Sequence, residues 1–356
     1  MPRPIFAQVS AAALAHNLAI ARRHAAGARI LAVLKANAYG HGLSRTAAAM
    51  QNTDGFAVLD LNEAVTLRDA HADKPVLMLE GVFQTADVPI VAEHGIHLVV
   101  HSPEQLSMLK ATRPPGLLDV FLKLNSGMNR LGFGPPDFRR VFAEIKAIPW
   151  VRSVGMMTHF AGADGAEGID AQLERFNSLT FGLFGERTVA NSAALLRYSG
   201  RGFDWVRPGI MLYGCSPFAD RSAASLGLQP AMTLRSEIIA IQHLQAGDKV
   251  GYGGTFVAQR AMRIGVVGCG YADGYPRHAP SGTPILIGGR RTRTVGRVSM
   301  DMLAVDLTDH AEAGVGTQAT LWGEGLPADE VATAAGTISY ELLCAVASRV
   351  RMVEGP

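Results

Sequence analysis

Short apolar runs recur along the first two thirds of the chain, at 30–35, 56–60, 76–80, 97–101, 120–125, 154–159, 188–191 and 206–212. Runs of this length, bounded by polar and turn-forming residues, predict buried strands. Between them lie stretches with helical spacing, clearest at 11–24, 62–72, 103–111, 136–148 and 170–184. One helix start is explicit: Ser102 precedes Pro103 and Glu104, a capping hydroxyl followed by a proline whose missing N–H costs nothing in the first turn. Alternating strands and helices predict a parallel sheet with right-handed crossovers. Eight strands packed into this stretch predict a closed eight-stranded β/α (TIM-type) barrel rather than an open sheet. Past residue 233 the pattern changes. Strand-like segments at 236–241, 263–267, 283–287, 302–306 and 318–322 alternate with glycine-rich turns, and only 327–335 and 340–347 look helical. The expected organisation is α/β: a barrel over 1–232, whose first few residues are free to join the second unit, and a C-terminal β-rich domain over 233–356.

Composition narrows the picture. The chain has 356 residues, 48% hydrophobic and 18% charged, enough for two domains with a large core and too apolar for disorder. A net charge of +2 gives no general attraction for nucleic acid. The densest basic cluster, Arg290, Arg291, Arg293 and Arg297, has strand period without interleaved aromatics, so it reads as a solvated strand face. Cys215, Cys269 and Cys344 are odd in number and far apart. They fit neither a disulfide framework nor a metal spacing, which points to a reducing compartment. The alanine-rich start is interrupted by His16 and Asn17, and no 18-residue apolar run occurs. The expectation is therefore a soluble, cytoplasmic protein with no membrane segment and no metal.

Candidate chemistry sits at the strand ends. The run at 30–34 ends in Lys35, then in a small-residue loop containing Tyr39 and Gly40. A lysine half-withdrawn from water loses part of its affinity for a proton and becomes a nucleophile or base. Arg130, His159, Ser192 and Arg207 also fall at or just beyond strand ends, where β/α barrels build their active sites. Singly, each has an ordinary explanation: a solvent-seeking lysine, an ion-paired arginine, a core histidine, a helix cap. Five together form a constellation. Ser192-Ala193-Ala194 and Gly209-Ile210 add backbone and hydroxyl donors suited to a phosphate. The run 266–271 starts like a dinucleotide loop, but its third glycine, Gly274, comes one residue late and no helical stretch follows. A turn between strands is the better reading.

Six ordered blocks carry a resemblance to the bacterial alanine racemase family, enzymes that use pyridoxal 5′-phosphate. They are 32–42 (AVLKANAYGHG), 123–132 (KLNSGMNRLG), 205–210 (WVRPGI), 250–255 (VGYGGT), 270–277 (GYADGYPR) and 299–302 (SMDM). The resemblance covers about residues 4 to 353 and implies the same barrel-plus-β architecture. It also implies roles. Lys35 would bind the cofactor covalently and serve as one catalytic base. Tyr252, reaching in from the partner subunit of a homodimer, would be the other, its phenolate favoured by nearby Arg207 and His159. Arg207 would meet the pyridine nitrogen, Arg130 the phenolic oxygen, and His159 the ring. Tyr39, Ser192, Gly209, Ile210 and Tyr340 would hold the phosphate. Arg130 and Met300, the latter from the partner, would receive the substrate carboxylate. Tyr271 and Tyr340 would narrow the entrance, with Asp164, Arg277 and Arg297 lining the outer channel.

One position departs from the common pattern: Asn125 stands where many members have aspartate, although some have asparagine. The neighbouring Lys123 is carbamylated in some members and would then position Arg130. The implied activity is two-base interconversion of L- and D-alanine, for peptidoglycan or for catabolism. The rivals are a broad-specificity amino-acid racemase on the same fold, a non-catalytic binder of the cofactor, and a barrel decarboxylase. The binder would not need the second domain or Tyr252. The decarboxylase would need a cysteine block that Cys215, Cys269 and Cys344 do not form.

Overall fold

The computed structural model describes residues 3–201 and 204–355. Strand β1 (Phe6–Ser10) leads directly into a helix over Ala11–Ala25, capped by the Ser10 hydroxyl, which accepts the Ala13 N–H at 3.1 Å. Eight parallel strands then close into a barrel: β2 (Arg29–Val33), β3 (Gly55–Val58), β4 (Val76–Met78), β5 (His97–Val100), β6 (Leu118–Lys123), β7 (Val151–Met157), β8 (Arg187–Thr188) and β9 (Trp205–Val206). Residues of β3, β4 and β6 are buried throughout, as expected for strands covered by the barrel interior on one face and helices on the other. Ser102 caps the helix Pro103–Ala111 by accepting the Gln105 N–H at 3.4 Å.

All eight expected strands are present, and each ends earlier than its apolar run. The clearest difference is 206–212, where the strand stops at Val206. Pro208 has no N–H to give a ladder, and the apolar residues that follow form a buried 3-10 turn, Ile210–Tyr213, packed against the first helix. Short helices at Leu43–Ala49 and Asp87–Glu93 fall outside the predicted stretches. They span two turns or fewer, too little for a helical period to declare itself.

The second unit is built on β10 (Met232–Leu244). A ribbon of β11 (Lys249–Val250) and β12 (Phe256–Val257) follows, then β13 (Met262–Val267), β14 (Pro284–Ile287), β15 (Arg290–Val295), β16 (Leu303–Asp306), β17 (Gln318–Trp322) and β18 (Arg351–Gly355). The eight-stranded sheet runs β13-β16-β15-β14-β17-β10-β1-β18. The chain's first strand therefore pairs antiparallel with β10 and parallel with its last strand, so the N-terminal segment belongs to this sheet. Arg290, Arg291 and Arg293 lie exposed along β15, paired with Glu312, Glu330 and Asp306. That is a solvated strand face, as the spacing predicts. After β13 comes a 3-10 turn, Tyr271–Asp273, and not a dinucleotide-binding helix. No helix among the described residues is long and apolar enough to cross a membrane.

Candidate active site

At the C-terminal mouth of the barrel lies a cavity of about 590 Å³, lined by Lys35, Tyr39, Lys123, Arg130, His159, Asp164, Ser192, Arg207, Gly209, Ile210 and Tyr340. Its volume suits a cofactor or a drug-sized ligand. Eleven expected site residues thus converge in one place. Tyr252, Met300, Tyr271, Arg277 and Arg297 do not line it. They lie in the second unit, with Tyr252 72%, Met300 53% and Tyr271 37% exposed.

Lys35 is held by an unusual piece of backbone. Ala36, Asn37, Ala38 and Tyr39 all have φ between 51° and 56°, a full left-handed turn made without glycine. Such a conformation costs roughly 1–2 kcal/mol per residue, so surrounding contacts must fix it. Glu63 accepts the Asn37 N–H at 2.7 Å, and the Asn37 side chain accepts the Leu43 N–H at 2.8 Å. His41 Nδ1 lies 3.1 and 2.9 Å from the Ala38 and Tyr39 carbonyls. Both are acceptors, so Nδ1 carries a proton. Burial holds the His41 pKa down to about 4.

A stability prediction follows from His41, which is fully buried. Its folded pKa lies below the usual 6.5, so the unfolded chain binds the extra proton first as pH falls. The stabilisation is complete above about pH 6.5 and is lost on acidification toward pH 4, about 2 kcal/mol of it between pH 7 and 5. Chemical denaturation at both pH values should show this loss shrinking by that amount in His41→Gln. Equal losses in both proteins would reject it.

The Lys35 amine is pushed toward neutrality by burial first and by the Arg130 charge second, with Glu80 and Cys344 opposing. Lys123, at the end of β6, is only 6% exposed, and burial with Arg207 and Arg130 brings its pKa down to about 8. Burial likewise lowers Arg207 to about 9, still above neutrality. Its guanidinium donates to the Thr188 hydroxyl at 2.6 Å and to the Thr158 carbonyl at 2.8 Å, and lies 3.3 Å from His159 Nδ1. His159 is held neutral, its pKa pushed well down by burial and by the surrounding cations. Four cationic side chains, Lys35, Lys123, Arg130 and Arg207, face two carboxylates, Glu80 and Asp164. The cavity is thus electrically suited to an anion.

The floor provides neutral donors. Ser192 Oγ accepts the Gly209 N–H at 2.8 Å, which leaves its own proton for a ligand. Tyr39 stacks on Tyr213 at 4.6 Å and lies 6.0 Å from Tyr340. Burial raises the pKa of Tyr39 and of Tyr340, so both phenols keep their protons as donors. A Cβ on Gly209 would sit 2.8 Å from the Tyr39 hydroxyl, so only glycine lets backbone and phenol meet there.

Asn125 has a specific place in this arrangement. Its carbonyl oxygen accepts the Gly127 and Asn129 N–H groups at 3.2 and 3.0 Å, and its amide donates to Asn129 Oδ1 at 3.0 Å. It closes the loop that delivers Arg130. An ionised aspartate has no proton for the third bond, so the asparagine is paired with Asn129.

The cavity also includes Glu80, Asn191 and Cys344, which sequence reasoning passed over. Glu80 ends the run 76–80 just as Lys35 ends 30–35, so the strand-end rule was sufficient to find it. Asn191 caps the helix Ser192–Arg197 and sits 3.4 Å from His159 Nε2. Cys344 has no sequence signal, because the turn of Lys35 and the helix Ser339–Cys344 meet only in the folded chain.

A closed β/α barrel with an amine-centred cavity at its C-terminal face has the architecture of an enzyme. Comparison with known proteins specifies which. The family model for the alanine racemase N-terminal domain matches residues 9–217, and that for the C-terminal domain matches 231–354. The alanine racemase of Nitrosospira multiformis is 55% identical over 356 residues, covering 99% of this chain and 100% of that protein. That of Nitrosomonas europaea is 55% identical over 358 residues, with 99% of each covered. The crystal structure of the biosynthetic alanine racemase from Pseudomonas aeruginosa superposes with a TM-score of 0.97 at 48% identity, covering 99% of this chain and 100% of that one. The structure from Acinetobacter baumannii gives 0.92 at 39% identity, with 99% and 100% covered. The chain belongs to the alanine racemase family, isomerases that act on amino acids.

Proposed function

We propose that this chain interconverts L- and D-alanine with pyridoxal 5′-phosphate and two bases, Lys35 and Tyr252. The observation that carries this reading is a lysine with a weakened hold on its proton, set in a cavity with a surplus of positive charge. The residues fit the cofactor. The surplus charge and the free protons of Ser192, Tyr39 and Tyr340 suit its phosphate. Arg207 has no carboxylate partner among the described residues and suits a neutral ring nitrogen. When bound, the cofactor supplies an imine-forming aldehyde and a conjugated ring that acidifies the Cα–H of an attached amino acid.

The protein's own groups do the rest. Lys35 would hold the cofactor through its amine and would move the proton on one face of Cα. Tyr252 serves the other face, so inversion needs no rotation of the substrate. Arg207, which keeps its own proton, would leave the ring nitrogen without one. Arg130 would hold the substrate carboxylate and the cofactor's phenolic oxygen, and His159 would support the ring. Lys123, with its pKa near 8, has neutral amine available for carbamylation between Arg130 and Arg207; electron density at its Nζ decides this.

Tyr252 sits on a glycine-flanked turn between β11 and β12, exposed and in the same unit as exposed Val257, Met300, Met302 and Ile239. We read this surface as the homodimer contact that carries Tyr252, Met300 and Tyr271 to the partner's cavity, with Arg277 and Arg297 joining Asp164 along the outer channel. The chain then divides near residue 232, with Phe6–Ser10 serving the second unit. Likeness to a biosynthetic enzyme supports a biosynthetic role, which we take to be a supply of D-alanine for peptidoglycan made in the cytoplasm. The purified protein should absorb near ~420 nm with cofactor bound and form D-alanine from L-alanine. A band without D-alanine would reject the substrate, and no band after adding cofactor would reject the role of Lys35.

A further inference from the structure

Two loops of the second unit are fastened by a charge network that the chemistry above does not use. The 3-10 turn Tyr271–Asp273 is pressed against 299–301: the Tyr271 N–H donates to the Ser299 carbonyl at 3.1 Å and the Ala272 N–H to the Met300 carbonyl at 2.9 Å. A Cβ on Gly270 would lie 2.4 Å from both of those carbonyl oxygens, so the contact is as close as two backbones can come. Tyr271 and Met300 therefore move as one body.

That body is anchored by Asp273, whose side chain is wholly buried. One carboxylate oxygen accepts Arg349 Nε at 2.7 Å, while the other accepts Arg3 at 3.0 Å and the Gly270 N–H at 2.9 Å. Arg349 also reaches Asp301 at 2.7 Å, and Arg3 donates to the Asp301 and Gly268 carbonyls at 2.7 and 3.2 Å. The two arginines come from opposite ends of the chain, just before β1 and just before β18. A buried carboxylate is a poor way to gain stability, because its desolvation offsets most of the attraction. What this one gains is a fixed geometry for its turn.

We propose that Arg3, Asp273, Asp301 and Arg349 act as positioning residues that set where Tyr271 and Met300 stand at the substrate entrance, and thereby the KM and the size selectivity for alanine. The inference rests on the reading that these two side chains complete a partner's cavity. No member of the network needs to touch substrate. It works by holding the two that do, and an error of about 1 Å at such a contact is enough to cost up to 10²-fold in rate or affinity.

The test is the holoenzyme of Arg349→Ala. Asp273 keeps Arg3 and the Gly270 N–H in that variant, so its charge stays compensated. KM for L-alanine should rise about tenfold with kcat within about twofold, the pattern of lost ground-state binding. The cofactor absorbance should not change, the ratio of kcat/KM for L-serine to that for L-alanine should increase, and Arg349→Lys should recover part of the KM. Asp301→Asn, at the half-exposed rim, gives the milder version if Arg349→Ala does not fold. A folded variant with wild-type KM and selectivity, or a loss confined to kcat with an altered spectrum, overturns the proposal. If the wild type does not racemise alanine, the functional reading has failed, and a crystal structure of Arg349→Ala tests the network alone: a displaced Tyr271 turn supports it and an unmoved one overturns it.

Discussion

Replacing Lys35 with alanine removes measurable alanine racemisation, a loss of at least ~10⁴-fold, and removes the absorbance near ~420 nm. Both effects come from one amine. In the proposed mechanism Lys35 is both the attachment point and one of the two bases, and no other residue is assigned both positions. Lys123 lines the same cavity and also has a lowered pKa, but it ends β6, whereas Lys35 follows β2. The fold should survive. Among the described residues Lys35 makes no ion pair or hydrogen bond, its proton is already destabilised by burial and by Arg130, and alanine removes that unfavourable charge. The variant should therefore match the wild type in chemical denaturation while failing in turnover. Retention of more than about a hundredth of the activity would place the base elsewhere, and Lys123→Ala in the same background would then identify it.

The barrel was legible because its signal is simple. Strands buried on both faces must be apolar throughout, and the eight runs stand out from the amphipathic stretches between them. Strand ends were less legible, since apolar residues continue into the mouth. Ile210 to Tyr213 are as hydrophobic as any strand, yet they pack beneath a helix. Lys35 and His159 could be found by position, as polar residues closing apolar runs, and Arg130 and Ser192 as polar residues just beyond them, while Arg207 interrupts its run just where β9 ends. The left-handed turn at 36–39 could not, because alanine, asparagine and tyrosine carry no local preference strong enough to announce it; Glu63 and His41 impose it from outside. The short strands β1 and β18 were hidden for a related reason. Each depends on a partner from the far end of the chain, and no local period reports such pairing. The roles of Tyr252, Met300, Tyr271, Arg277 and Arg297 rest on the motif blocks, since composition and spacing say nothing about a second subunit.

Two inactive variants should restore each other. Lys35→Ala subunits keep Tyr252, and Tyr252→Phe subunits keep Lys35. If Tyr252 serves the partner's cavity, a mixed dimer has one site with both bases intact and one site with neither. Random exchange of equal amounts makes half the dimers mixed, each with one working site of two, so about a quarter of wild-type activity returns. A population forced to be wholly mixed returns about a half. The expectation rests on the motif resemblance, and the geometry is compatible with it: the Lys35 cavity lacks Tyr252, while Tyr252 is 72% exposed on a turn with three left-handed glycines, Gly251, Gly253 and Gly254. An isolated tyrosine so placed has nothing to act on within its own chain. The measurement is activity after mixing, with subunit exchange followed separately by differently labelled chains. Full exchange with no recovery would put both bases in one chain and would require the turn carrying Tyr252 to fold back over its own barrel.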